Sequence, residues 1–210
     1  MALKPFSADF NTDKIYKHAG FSYTISDSFS SPSTHPQGLT WDGVNIYSVD
    51  YDSQKIYKHD GFSSTILDSF SSPSINPSGL TWDGSNIYSA DYFLDKIYKH
   101  DGFSSTILDS FSSPSIYPQG LTWDGTNIYS ADSDAGKIYK HDGFSSTILD
   151  SFSSPGLIPK GLTWDGTHIC SVDKGAGEIY KHDGFSSTIL DSFSSPSTSP
   201  MGLTHEYIGC

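Results

Sequence analysis

Short stretches of alternating apolar and polar residues run the length of the chain, separated by Asp-Gly and Ser-Pro turns. Taking the stretch that opens at Gly79, the alternation predicts a first strand over 79–82, turned by Asp83-Gly84-Ser85-Asn86. A second strand follows over 87–90, a loop over 91–95, a third strand over 96–100 and a fourth over 105–111. Ile, Tyr, Thr, Phe and Trp suit a pleated surface, and Asp-Gly suits tight hairpins. No stretch keeps a helical period, so the chain is expected to be all β.

The pattern recurs at a constant interval. Tryptophan stands at 41, 82, 123 and 164, and one interval of 41 further on stands His205. The Ile of Lys/Glu-Ile-Tyr-Lys-His falls at 15, 56, 97, 138 and 179, in the same register. Four antiparallel strands per 41 residues match a β-propeller blade, whereas a β-solenoid normally repeats at shorter periods. Phe6-Ser7-Ala8-Asp9 aligns with Tyr47-Ser48-Val49-Asp50, so the chain begins at a second strand and ends just after a first one. The two ends together complete one blade, which removes both open sheet edges. The expected fold is one five-bladed propeller domain over 1–210, with blades 1–37 plus 202–210, 38–78, 79–119, 120–160 and 161–201.

The run Pro-x-Gly-Leu-Thr-Trp-Asp-Gly-x-Asn-Ile-Tyr-Ser-Ala-Asp, followed by Lys-Ile-Tyr-Lys, resembles the blade repeat of NHL and YWTD-type propellers. It is also similar to the repeats of streptogramin lyase and of the gluconolactonase-like hydrolases. The resemblance covers every repeat and implies the blade. It says little of function, because that superfamily holds enzymes, receptors and scaffolds alike. Those families usually have six or more blades, against five here. The repeats are also unusually alike: the units opening at Gly79 and Gly120 differ at nine of 41 positions, as expected after recent amplification of one blade. A gluconolactonase-like site implies carboxylates converging on a metal from the innermost strands, and the positions before those strands here carry His, Asn, Tyr, Ile and Ser. A lyase-like site implies a His–Glu pair. The chain has two Glu, and His205-Glu206 stands at the ring closure, where His replacing a repeated Trp reads more simply as an end effect.

Five His (18, 59, 100, 141, 182) beside many Asp suggest acid–base chemistry. A residue that recurs once per blade occupies five equivalent places, however, whereas catalysis needs unlike groups converging on one substrate. These His are expected to be framework, and no catalytic residue is assigned. The Trp are expected between neighbouring blades. Asp9, Asp50, Asp91, Asp132 and Asp173, ending the second strands, should accept amides of the following loops. Calcium or another divalent cation would need six to eight converging oxygens, so all five carboxylates would have to point inward. No cofactor and no metal ligand are assigned. Cys170, at the position of Tyr47, Tyr88 and Tyr129, is expected to be a small buried hydrophobe, and Cys210 to lie past the last strand.

Composition narrows the partners. Acids outnumber bases 24 to 12, the net charge is −12, and every base is Lys. An acidic chain without a guanidinium is an unfavourable partner for nucleic acid. The hydrophobic fraction is low at 35% but the aromatic fraction is 14%, and aromatic rings can build the core instead. No apolar run reaches the length of a membrane span. No apolar leader follows Met1, so the expected compartment is cytoplasmic if Met1 is the native start, and a monomer is expected.

Differences between the copies gather in two loops, one after each second strand and one before each first strand. In an up-and-down blade both emerge on one face beside the central channel. Binding residues collect in loops on rigid scaffolds. The expected ligand-binding set is His35, Gln37, Asn76, Tyr117, Gln119 and Lys160, with Tyr51, Tyr92 and Phe93 further out. Aromatic faces beside amide and hydroxyl groups suit a glycan or a peptide. The leading expectation is therefore a non-enzymatic propeller that binds on this face. The alternatives are a hydrolase or lyase working in the central channel, with or without a divalent cation, and a plain structural scaffold.

Overall fold

Each 41-residue repeat becomes one four-stranded antiparallel sheet in the computed structural model, which describes residues 3–206. The strands are β1 (Lys4–Asp9), β2 (Lys14–His18) and β3 (Ile25–Ser30), then β4 (Pro36–Trp41), β5 (Ile46–Asp50), β6 (Lys55–His59) and β7 (Ile66–Ser71). The third blade holds β8 (Pro77–Trp82), β9 (Ile87–Asp91), β10 (Lys96–His100) and β11 (Ile107–Ser112). The fourth holds β12 (Pro118–Trp123), β13 (Ile128–Asp132), β14 (Lys137–His141) and β15 (Ile148–Ser153). The fifth holds β16 (Pro159–Trp164), β17 (Ile169–Asp173), β18 (Glu178–His182) and β19 (Ile189–Ser194). The last strand, β20 (Pro200–Glu206), pairs with β1, so the first sheet runs β20-β1-β2-β3 and the ring closes as the end registers require. The chain is a five-bladed β-propeller. Among the described residues no helix is long and apolar enough to cross a membrane.

The innermost strand of each blade starts two residues earlier than alternation suggests, at Pro77 rather than Gly79 in the third. Pro77 pairs with Asp91 and Leu80 with Ser89, so Ser78 and Gly79 together oppose Ala90. Proline is tolerated at a strand's first residue, and the two-against-one count is a β-bulge. The same break recurs in the other blades, for example between Pro36 and Leu39.

Blades are joined by aromatic contacts that repeat around the ring. Tyr47 stacks on Trp82, Tyr88 on Trp123 and Tyr129 on Trp164, with planes within 11° and centroids 5.8–6.0 Å apart. Phe29–Phe62, Phe70–Phe103, Phe111–Phe144 and Phe152–Phe185 interlock edge-on further out, and Phe21–Phe193 does so across the closure. These contacts replace the scarce Leu and Val, as expected of aromatic-rich sequence. One junction is thinner. The fifth blade offers Cys170 where the first offers Phe6 and the others Tyr, and β20 offers His205 where the other inner strands offer Trp.

The repeated His are framework. In every blade a serine of the second strand meets His Nε2 at 2.8–2.9 Å, and His Nδ1 lies 2.8–2.9 Å from a turn carbonyl, as in Ser48–His59–Ser63. A carbonyl only accepts, so Nδ1 carries the proton and Nε2 accepts from the serine hydroxyl.

The inner strands pack around the axis through glycine. A Cβ on Gly79 would lie 2.9 Å from the amide nitrogen of Leu121 and 3.0 Å from the carbonyl carbon of Gly120, and closer still to the Gln119 carbonyl. All of these are backbone atoms of the next blade, which cannot step aside alone. Gly79→Ala is therefore expected to destabilise by about 3 kcal/mol. At about 2–4 °C per kcal/mol for a domain this size, its melting temperature should fall by about 6–12 °C. A calorimetric melt within about 2 °C of wild type would mean the inner strands are not held this tightly.

Candidate functional site

Three repeat positions per blade fall on the variable-loop side. Just after the second strand they are Phe10, Tyr51, Tyr92, Ser133 and Lys174. Just before the proline of the inner strand they are His35, Asn76, Tyr117, Ile158 and Ser199. Between that proline and the ring glycine they are Gln37, Ser78, Gln119, Lys160 and Met201. The third set sits at the bulges, a device that re-aims a side chain. Gln37, Gln119, Lys160 and Met201 thereby floor a cavity of about 360 Å³, and its walls are Phe10, Tyr51, Tyr92, Tyr117 and Ser133. That volume is within the usual range for small-ligand sites, about 300–1,000 Å³.

The aromatic wall is continuous. Tyr51 and Tyr92 stack with centroids 6.3 Å apart and planes at 18°, and Tyr117 continues from Tyr92 at 6.2 Å and 57°. Burial first, then the Tyr51 hydroxyl, pushes the Tyr92 phenol above its ordinary range, so it remains a hydrogen-bond donor. Tyr117 is held at φ 66° and its amide donates to Asp95 Oδ1 at 3.0 Å. His35 is held likewise at φ 65°, its amide donating to Asp13 Oδ1 at 2.8 Å. Bulky residues seldom take this conformation, and it persists where surrounding structure enforces it, often at ligand sites.

The sequence-derived residues divide. Gln37, Tyr51, Tyr92, Tyr117, Gln119 and Lys160 come together around the cavity. His35 stands beside it, its ring stacked on Phe10 at 3.9 Å and its Nδ1 paired with Asp52 at 2.8 Å. Asn76 is buried, and its carbonyl receives the Tyr92 amide at 3.2 Å. Phe93 points to solvent, 66% exposed, because its loop is tied down from below by Asp91. Phe10, Ser133 and Met201 also line the cavity without having been selected. The signal for them was present: they share repeat positions with Tyr51 and Gln37.

The five second-strand Asp do not converge. Asp50 Oδ1 accepts the Ser53 amide at 2.9 Å, Asp91 Oδ1 those of Phe93 and Leu94 at 3.0 and 2.6 Å, and Asp132 Oδ1 those of Asp134 and Ala135 at 3.0 and 2.8 Å. Asp9 additionally receives the Ser197 hydroxyl. Each carboxylate accepts from the loop that follows it, Asp9 and Asp173 also from the loop before the adjoining inner strand, and among the described residues no three His, Cys, Asp or Glu side chains gather. His205 Nδ1 meets Thr163 Oγ1 at 2.7 Å while Glu206 pairs with Lys17 at 3.2 Å, so the two point to different partners. Cys170 is fully buried, and burial pushes its thiol well up, as suits an inert core sulfur. Cys210 lies outside the described residues.

Below the cup the channel pinches shut. At the glycine ring about 10 Å³ is free, at the limit for a single water, and at the ring of Thr40, Thr81, Thr122, Thr163 and Thr204 about 30 Å³. A wider hollow of about 550 Å³ opens on the opposite face, lined by the repeated Trp-Asp-Gly turns. The carboxylates of its turns are already matched. Asp83 Oδ1, for example, accepts the Ser85 and Asn86 amides, and its Oδ2 receives the Tyr88 hydroxyl at 2.5 Å.

No family model and no curated protein match this chain. Among solved structures it is similar to a chain of a nidogen/laminin complex, with TM-score 0.68 and 18% identity over 99% of this chain and 100% of that one. It is similar to the glutaminyl cyclase of Myxococcus xanthus, with TM-score 0.64 and 14% identity over 76% of this chain and 70% of that one. It also matches Kuenenia stuttgartiensis hydrazine synthase, with TM-score 0.54 and 14% identity over 75% of this chain and 48% of that one. The likeness is one of fold. The finer resemblance to NHL, YWTD, lyase or lactonase repeats acquires no family match.

Proposed function

We propose that this propeller is a binding protein whose ligand, a small glycan, sits in the cup on the variable-loop face. The observation that carries this reading is a blind, tyrosine-walled cavity on the one face where nearly identical repeats diverge. Aromatic faces receive the apolar side of a sugar ring, and Gln37, Gln119 and Ser133 offer donors and acceptors for hydroxyls. A closed cup suits the end of a glycan better than an extended peptide, which would need a groove. The pinched channel leaves the cup, rather than the axis below it, as the place a substrate could reach.

Replacing Tyr92 and Tyr117 with Ala is the direct test. Truncating a central aromatic anchor typically loses about 2 kcal/mol or more of binding, so each change should weaken the captured glycan by at least about tenfold. Tyr117 is 44% exposed, so its own loss should leave melting within about 2 °C of wild type. A glycan array followed by titration calorimetry reads both. Unchanged affinity in the double variant would move the site off this face, and capture of peptides alone would replace the glycan with a peptide ligand.

A further inference from the structure

The cup is electrically lopsided. Of the fifteen residues at the three repeat positions of the variable-loop side only Lys160 and Lys174 are lysines, and both belong to the fifth blade. Lys160 rises from β16 at the floor, where other blades place Gln, Ser or Met. Lys174 follows β17 at the rim, where other blades place aromatics or Ser, and its Nζ lies 5.3 Å from the Phe10 ring centroid. One ammonium thus lines the cavity and the other lies against a ring that lines it, both from one blade, in a molecule of net charge −12.

Neither has a carboxylate of its own. The nearest candidate, Asp173, is fully buried and committed elsewhere: its Oδ2 receives the Ser154 hydroxyl and the Ile158 amide, both at 3.0 Å, and its Oδ1 the Ala176 amide at 3.0 Å. Among the described residues the ion pairs of the other lysines run to Glu206, Asp124 and Asp165, and none reaches Lys160 or Lys174. A largely buried ammonium without a partner is unfavourable, and like charge beside it makes it more so. The strain shows in its proton affinity. Burial first, then Lys174, pulls the Lys160 amine down from 10.5 to about 8, with Asp173 acting the other way.

We infer that Lys160 and Lys174 form a subsite for the anionic group of the cup's ligand, which makes that ligand an acidic sugar carrying a carboxylate. The inference rests on the proposed glycan-binding role of the cup. The sugar ring would lie along Tyr51, Tyr92 and Tyr117, with its carboxylate turned toward the fifth blade. A carboxylate there supplies the missing counter-ion to both amines and accepts charge-assisted hydrogen bonds from them. The chain's many other carboxylates oppose it weakly, since at physiological salt the screening length is about 8 Å and only contact charges act at full strength.

The test compares glucuronate and galacturonate with glucose and galactose, titrated into the intact protein in 0.15 M salt near pH 7 and followed through the tyrosine resonances and calorimetry. Two variants borrow residues that other blades already carry at the same positions, so neither threatens the fold: Lys160→Gln, as at Gln37 and Gln119, and Lys174→Ser, as at Ser133. The expected result is an acid binding at least about tenfold more tightly than its neutral counterpart, matching one lost charge-assisted contact. Lys160→Gln should erase that preference, so that acid and neutral sugars then bind alike, and Lys174→Ser should reduce it. Equal binding of acid and neutral sugars, or a preference that survives Lys160→Gln, overturns the anionic subsite while the cup reading stands. Binding of peptides with a free terminal carboxylate, and of no sugar, overturns the acidic sugar. Silence from all four sugars together with unchanged tyrosine resonances overturns the cup reading as well.

Discussion

Acidification from pH 7 to pH 5 is expected to remove most of the propeller's stability. His18, His59, His100, His141, His182 and His205 are all buried, and desolvation holds each at about 4 against an ordinary 6.5. Ser22, Ser63, Ser104, Ser145 and Ser186 carbonyls pull the first five back only partly. The folded state therefore keeps these imidazoles neutral while the unfolded chain protonates them below 6.5. Stability from this source is complete above pH 6.5 and is lost as pH falls toward 4. At pH 5 each imidazole forfeits about 2 kcal/mol, and six together on the order of 10 kcal/mol, comparable to the whole stability of an ordinary domain. Asp50 and Asp132, raised chiefly by burial, take up protons in the folded state and return part of this. Asp42, Asp83, Asp124 and Asp165 are pushed up by burial but held lower overall by hydrogen bonds, so their losses come at more acidic pH. Melting at pH 5 should lie at least about 20 °C below melting at pH 7 and recover on neutralisation. His205→Trp, which introduces the residue of the other four copies, should make that slope shallower. A melting point that moved by less than about 3 °C over this range would show the imidazoles already charged in the fold.

Removal of residues 202–210 is expected to open the ring. It takes four of the five paired positions of β20 on β1 and the buried side chain of Leu203, leaving the β1 backbone and the buried Phe6 at an unpaired edge. One buried Leu and several ladder hydrogen bonds are together worth on the order of 5 kcal/mol, or a fall in melting of about 10–20 °C. An unpaired edge strand is a template for another chain, so the truncated protein should associate where the intact one is expected to run as a monomer. The closing blade is also expected to be the first to exchange its amides in the intact protein. Its junction with the fifth blade lacks the Tyr–Trp stack, having Cys170 and His205 instead. Light scattering on the size-exclusion peak, with a melt of the same sample, reads the result. A truncation that stayed monomeric and melted with the intact protein would sink the closure as a source of stability.

The blade, its count and its closure were legible because a 41-residue interval leaves no freedom: four strands, five copies and two complementary ends admit one ring. Framework roles for His59 and Asp50 followed from repetition alone, since five equivalent side chains cannot meet at one substrate. Along the variable loops that reasoning weakened. It selected Tyr51, Tyr92, Tyr117, Gln37, Gln119 and Lys160, which line one cavity, together with Phe93, which the tethered loop turns to solvent. It passed over Phe10 and Met201, whose repeat positions were the better guide than their residue types. Sequence by itself thus determined what is periodic, because periodicity is carried by local strand and turn chemistry. Tertiary structure alone decided where side chains that differ between copies come to rest. The bulge beside each inner-strand proline aims Gln37, Gln119 and Lys160 into the cup, backbone contact at the glycine ring seals its floor, and the turn of the fifth blade sets Lys174 against Phe10 in the cup's wall. Each depends on distances between segments of chain that no local pattern encodes.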